Sequence, residues 1–164
     1  MGRLVLDALD EGPPPFVIGI TSSAQDVQLV YELNVSLGVA LSRSKDVICR
    51  QSKIITRHAL YHGNYSGSNI NLFWNYPENS EWISKIDRKG AGLFSKEIEE
   101  APMLSFITKP KNVSAILTID PGLSQNEMVI LKNKLLVSPS LVYQKHIPWL
   151  RIRGRENLLF EPIK

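Results

Sequence analysis

The sequence predicts an α+β fold: a mostly antiparallel sheet carrying two helices, in ferredoxin-like halves with an inserted β-meander. Three observations predict it. Two β-type apolar runs, Phe16 to Thr21 and Val113 to Ile119, each lead into a helix-capping box. The boxes are Ser23-Ala24-Gln25-Asp26 and Ser124-Gln125-Asn126-Glu127, in which the serine accepts from an orphan amide and the acid three residues on reaches back to the serine amide. Between the two units lie short β-like runs separated by turn residues, the pattern of antiparallel strands.

Taken in order, Leu4, Val5 and Leu6 predict a short edge strand, and Pro13-Pro14-Pro15 removes three amide donors, so the next strand starts at Phe16. A first helix is expected from about Ala24 to Leu37. Val27, Val30, Tyr31, Leu33 and Leu37 form its stripe, widened by Leu29, and Gly38 suits the left-handed position after the last turn. Val39 to Cys49 reads as a second strand interrupted by Arg43, Lys45 and Asp46. Lys53 to His62 is β-like, and Asn64 to Asn69 is a turn by composition. Ile70 to Tyr76 reads as a strand stopped by Pro77, with Trp82 to Ile86 as its hairpin partner. Met103 to Ile107 is a further apolar run. The second helix is expected from about Gln125 to Leu136, with Met128, Leu131 and Leu135 on its stripe and Lys132 and Lys134 near its end. Ser140 to Ile147 predicts a last strand with Leu141, Tyr143 and Ile147 on one face, and Leu158-Leu159-Phe160 closes the chain.

The chain's 164 residues predict a single domain over 1–164. A net charge of +3, from 19 basic and 16 acidic side chains, is too even to argue for nucleic acid without a local patch. Met1 to Asp7 lacks the shape of a signal peptide and no apolar run reaches the roughly 20 residues of a membrane span, so the expectation is a cytoplasmic protein with no membrane partner. The lone Cys49, beside Ile48, reads as a small, inert strand residue.

Candidate chemistry is sparse. His58 and His62 have the spacing of a helical zinc pair, but on a strand they sit too far apart for one ion and read as surface histidines. Glu97, Glu99 and Glu100 read as a solvated run. Neither a phosphate-binding glycine loop nor Gly-x-Ser-x-Gly is present, so the expectation is no enzyme, no cofactor and no metal. The most suggestive stretch is C-terminal: Tyr143, Lys145, His146, Trp149, Arg151, Arg153 and Arg155. If extended, its last three arginines share a face, where they suit phosphates, and Tyr143 or Trp149 suits base stacking. Glu156 and Glu161 dilute that patch, and a strand with a wet basic face is the plainer reading. Phe73-Trp74-Asn75-Tyr76 with Trp82 reads as core and cross-strand packing before an exposed aromatic face.

Over Leu4 to Phe160 the chain resembles the bacterial IPExxxVDY family. The resemblance rests on Leu33-Asn34, Leu37-Gly38, Leu41-x-Arg43-x-Lys45-Asp46, Gly92-Leu93-Phe94, the Ile107 to Ala115 segment, and Leu150 through Arg153 to Asn157-Leu158-Leu159-Phe160. In the naming motif Ile107 and Val113 hold the apolar positions, while Thr108-Lys109 replaces Pro-Glu and Ser114-Ala115 replaces Asp-Tyr. The resemblance implies no particular reaction, ligand or catalytic residue. The functional expectation is therefore a non-enzymatic domain that binds a protein partner or itself. RNA or single-strand binding through the basic C-terminal segment is one alternative. A small-ligand sensor with a pocket between helices and sheet is the other, by analogy of fold.

Overall fold

The computed structural model describes residues 14–83, 100–109, 111–153 and 155–158. Its strands form two antiparallel sheets. The larger has the order β2-β5-β6-β8-β1-β9, built from β1 (Phe16–Ser22), β2 (Ser42–Arg43), β5 (Leu60–Tyr65), β6 (Ser68–Trp74), β8 (Ala115–Asp120) and β9 (Leu141–His146). The smaller has the order β3-β4-β7, from β3 (Val47–Gln51), β4 (Ile54–His58) and β7 (Asn79–Trp82). Two helices, α1 (Asp26–Leu37) and α2 (Gln125–Leu135), pack on each other and on one face of the larger sheet. The α+β class is as the sequence predicts. The expected edge strand at Leu4 to Leu6 lies outside the described residues.

Both faces of the larger sheet are covered. Toward the helices, Ile18, Ile20, Ile70, Leu72 and Leu117 meet Leu29, Leu33, Leu131 and Leu135. On the other face, Val17, Phe73 and Ile116 meet Cys49 of β3, Ile107, Val113, Ile147, Ile152 and Leu158. Alternation along β1 and β8 sends successive side chains to opposite cores, so these central strands are apolar in unbroken runs, Phe16 to Ile20 and Ala115 to Leu117, rather than at every second position. The aromatic strand β6 obeys the same rule: Trp74 enters the helix-side core and Phe73 the other.

Helix boundaries follow from local hydrogen bonds. At α2 the predicted box forms: Ser124 Oγ accepts from the Glu127 amide at 3.3 Å, and Glu127 Oε2 accepts from the Ser124 amide at 2.9 Å. At α1 it does not. The Ser23 amide and hydroxyl both donate to the Ser140 carbonyl, and Ser22 Oγ accepts from the Ala24 amide, which keeps this stretch outside the helix. Gln25 takes the N-cap position without a side-chain cap. Gly38 ends α1 at φ 66°, a conformation that costs glycine little. The α1 stripe differs from the predicted one. Leu29, Val30, Leu33 and Leu37 are buried, whereas Val27 and Tyr31 are exposed, because the sheet meets a narrower face of the helix than the sequence stripe covers.

Two strand assignments are corrected. β7 pairs with β4, not with β6 as the Pro77 hairpin suggested, and residues 84–86 lie outside the described part. The Met103 to Ile107 run forms no strand; it is an irregular segment held against the second core. The chain passes between sheets at Ala59, which alone separates β4 from β5.

One carboxylate ties α1 to the connection after α2. Glu32 accepts from Ser138 Oγ at 2.7 Å, from the Ser140 amide at 2.9 Å and hydroxyl at 2.6 Å, and from Gln28 at 3.0 Å. Desolvation pushes its pKa up, but the bonds from Ser140, Ser138 and Gln28 outweigh it and hold the group at about 2. A carboxyl depressed on folding contributes its stability fully above its unfolded pKa of 4.5 and loses it as pH falls toward 2. With solvent screening, that contribution is about 1 kcal/mol. Glu32→Gln is expected to flatten the fall of the urea midpoint over that acid window; an unchanged acid limb would contradict the tie.

Candidate functional site

The predicted C-terminal residues separate on folding. β9 lies at the sheet edge and pairs with β1, matching Ile18 with His146, Ile20 with Gln144 and Thr21 with Tyr143, with a register shift before Ser22 and Leu141. Paired residues share a face, so His146 turns to the helix side, where it stacks on Phe16 at 4.9 Å. Burial and the nearby Lys132 ammonium lower its pKa. Tyr143 and Lys145 lie on the opposite face with Ile147. The shift puts Leu141 against the helix-side core, so the single face expected for Leu141, Tyr143 and Ile147 is split. Nor are the arginines an extended row. Trp149–Arg151 is a 3-10 turn whose Trp149 packs on the second core, and Arg155 begins another, its Nη1 donating to the Leu150 carbonyl at 3.4 Å.

Folding instead brings Arg151 and Arg153 to a cleft of about 320 Å³. Its far wall is Phe106, Ile107, Thr108 and Lys109, and its floor includes Ile147 and Ile152. Lys109, Arg151 and Arg153 are exposed, and among the described residues none of the three side chains has a hydrogen bond or ion pair. Arg43 is the contrast: it binds Asp46 at 2.6 Å and Glu78 at 2.9 Å.

One buried residue positions the far wall. Asn75, 1% exposed, donates from Nδ2 to the Ile107 carbonyl at 2.9 Å and the Val113 carbonyl at 2.7 Å. Its Oδ1 accepts from the Ile107 amide at 2.7 Å. The asparagine clamps both ends of the 107–113 segment, whose Ile107 and Val113 anchor in the second core. Sequence reasoning missed Asn75, Phe106 and Lys109 as parts of one site. The available signal was weak: Asn75 directly follows Phe73-Trp74, but Asn69 and Asn71 in the same run carry the same side chain without touching the cleft.

A second cleft, of about 470 Å³, opens at the start of α1 between Ser22, Ser23, Asp26, Trp74, Tyr76 and Glu78. Its polar groups are committed to the fold. Asp26 accepts from Tyr61 Oη at 2.7 Å, Glu78 pairs with Arg43, and Ser22 and Ser114 bind each other.

The remaining candidates are structural. His58 is buried, not at the surface as expected. Its Nδ1 meets the Trp74 carbonyl at 3.0 Å and its Nε2 the Thr56 hydroxyl at 2.8 Å, an arrangement met by the neutral ring with its proton on Nδ1. Burial lowers its pKa, so its share of stability is lost as pH falls below its ordinary value. His62 sits on the other sheet and bonds Asn71 at 2.6 Å. Cys49 is fully buried and burial pushes its thiol up to about 11, which suits an inert role. Glu100 is exposed, while Glu97 and Glu99 lie outside the described residues. Among the described residues no cluster of histidine, cysteine and acid is placed to hold a metal, and no helix is long and apolar enough to cross a membrane. Comparison with protein-family models, curated proteins and solved structures finds no match.

Proposed function

We propose that this protein is a non-enzymatic interaction domain that associates with a second copy of itself through the outer face of its helix layer. One observation carries the reading: α1 exposes Val27, Tyr31 and Val35 at 69%, 70% and 69%, spaced four residues apart along a single ridge. Val129, Ile130, Leu136 and Val137 on and just after α2 are also exposed. Together these seven side chains offer roughly 700 Å² of apolar surface, near the ~800 Å² per partner of a standard interface. The ridge residues Val27, Tyr31 and Val35 are themselves uncharged, and the two acids of α1, Asp26 and Glu32, are held in bonds to Tyr61 and to Ser138 and Ser140, so the same apolar patch can face itself across a two-fold axis. Ridges of four-residue spacing interdigitate when two such helices cross.

Pairing through the β9 edge is the weaker route, since that strand carries a register irregularity and Lys145, both of which discourage strand addition. The order β9-β1-β8-β6, with α1 and α2 on one face, supports reading the scaffold as ferredoxin-like halves with β2 to β5 inserted. Kinship with the IPExxxVDY family belongs to the same proposal. It is supported by the buried Ile107 and Val113 at the motif's apolar positions.

Light scattering is expected to give a dimer mass at micromolar concentration. Val27→Glu with Tyr31→Glu is expected to give a folded monomer, because both side chains are exposed in the single chain, and its melting temperature should lose the concentration dependence that dimerisation gives the wild type. A wild type that stays monomeric at millimolar concentration would end this reading.

A further inference from the structure

We propose that the cleft between segments 106–109 and 147–153 binds a small organic anion, a molecule with an apolar body ending in a phosphate or carboxylate. Charge is the first argument. Lys109, Arg151 and Arg153 gather around one cavity, and no described acid is paired with any of them. Three like charges on one rim repel each other, and a bound anion relieves that repulsion. Two of the three are arginines, whose planar donor forks match the oxygens of phosphate and carboxylate. Thr108 adds a hydroxyl beside them.

The floor supplies the other half of the ligand. Ile107, Ile147 and Ile152 are 9%, 7% and 5% exposed, and Phe106 is half-buried beside them. An apolar floor with a few converging polar groups is the usual make-up of a small-molecule site. Its volume of about 320 Å³ decides between a small ligand and a nucleic-acid strand. That volume lies at the low end of small-molecule pockets, roughly 300–1,000 Å³. Single-strand sites instead run along a groove for several nucleotides, with aromatics for the bases to stack on. Here a single aromatic, the half-buried Phe106, is part of the lining, and Tyr143 and Trp149 are not.

Both walls are fixed before any ligand arrives. Asn75 holds the Ile107 backbone from below. Opposite, the Ile147 amide donates to the Val17 carbonyl at 2.9 Å, the Arg151 amide to Pro148 at 2.9 Å and the Ile152 amide to Trp149 at 3.2 Å. Arginines mounted on a fixed backbone lose less freedom on binding.

Isothermal titration of the full chain at low salt tests the site, with hexyl phosphate, hexanoate, inorganic phosphate and a short single-stranded oligonucleotide as probes. Hexyl phosphate or hexanoate is expected to bind at one site per chain, at least about tenfold more tightly than inorganic phosphate, and the tighter of the two identifies the head group. Arg151→Gln with Arg153→Gln is expected to weaken binding about tenfold or more while the melting temperature stays unchanged, since both side chains are exposed and unpaired. Amide shifts in the NMR spectrum are expected to centre on Ile107, Lys109 and Ile152. No binding of either hexyl anion, or binding that the double variant leaves intact, would overturn the site. Tighter binding of the oligonucleotide would overturn the small-ligand assignment in favour of a strand.

Discussion

Asn75→Ala is expected to lower the unfolding free energy by about 3–5 kcal/mol. The substitution removes three hydrogen bonds at once and leaves the Ile107 amide, the Ile107 carbonyl and the Val113 carbonyl without partners. Each buried group left unsatisfied costs ~1–3 kcal/mol, part of which water entering the space recovers. Asn75→Asp is a sharper test. It keeps an acceptor for the Ile107 amide, but its second oxygen faces two carbonyls and a buried charge has no partner there. Urea denaturation of both variants should show comparable large losses. A loss below about 1 kcal/mol in Asn75→Ala would mean that the clamp does not hold the segment. Because the clamp shapes one wall of the cationic cleft, Asn75→Ala should also weaken anion binding in whatever fraction stays folded.

Phe73→Ala is expected to cost about 3–5 kcal/mol, through lost burial and the cavity left behind. Phe73 is fully buried in the second core, stacks on His58 at 4.9 Å and meets Phe106 edge-on at 5.2 Å. Its loss should also reach His58, whose pKa is lowered first by burial. Opening that pocket to water removes part of the desolvation, so the histidine should titrate closer to its ordinary value in the variant. Denaturation together with an NMR titration of the His58 ring checks both halves. A large loss of stability with no movement of the ring's titration would mean that Phe73 does not shield it.

The two helices were legible because their signals are local. Leu131 and Leu135 follow the helical period, the Ser124 box is satisfied within four residues, and Gly38 needs only its own φ. The box at Ser23 misled because a distant carbonyl, that of Ser140, competes for the same serine. The Pro77 hairpin misled for a similar reason. Pairing partners are chosen by the second sheet as a whole, and β7 finds its neighbour in β4, across the switch at Ala59.

The candidate site was legible in part. Arg151 and Arg153 stood out as basic residues, but the helical turn at Trp149–Arg151 and the register shift at β9 decide where they point, and neither leaves a mark in composition. Lys109 reaches the cleft only because Asn75, 34 positions earlier by residue number, fixes the backbone of Ile107. The sequence reads Phe73-Trp74-Asn75-Tyr76 as core and cross-strand packing, with an exposed aromatic face as the alternative. With both sides covered, Phe73 and Trp74 each have a core to enter, and of this aromatic run only Tyr76 is left exposed.

Covering of the second face by a segment held on one buried amide underlies the cleft and the placement of the aromatics. Native-state hydrogen exchange at the Ile107 amide measures it most directly, since among the described residues that amide's one acceptor is Asn75 Oδ1. Protection approaching that of the central-strand amides of Leu117 and Ile119 is the predicted result. Exchange as fast as that of the exposed Thr108 and Lys109 amides would contradict it.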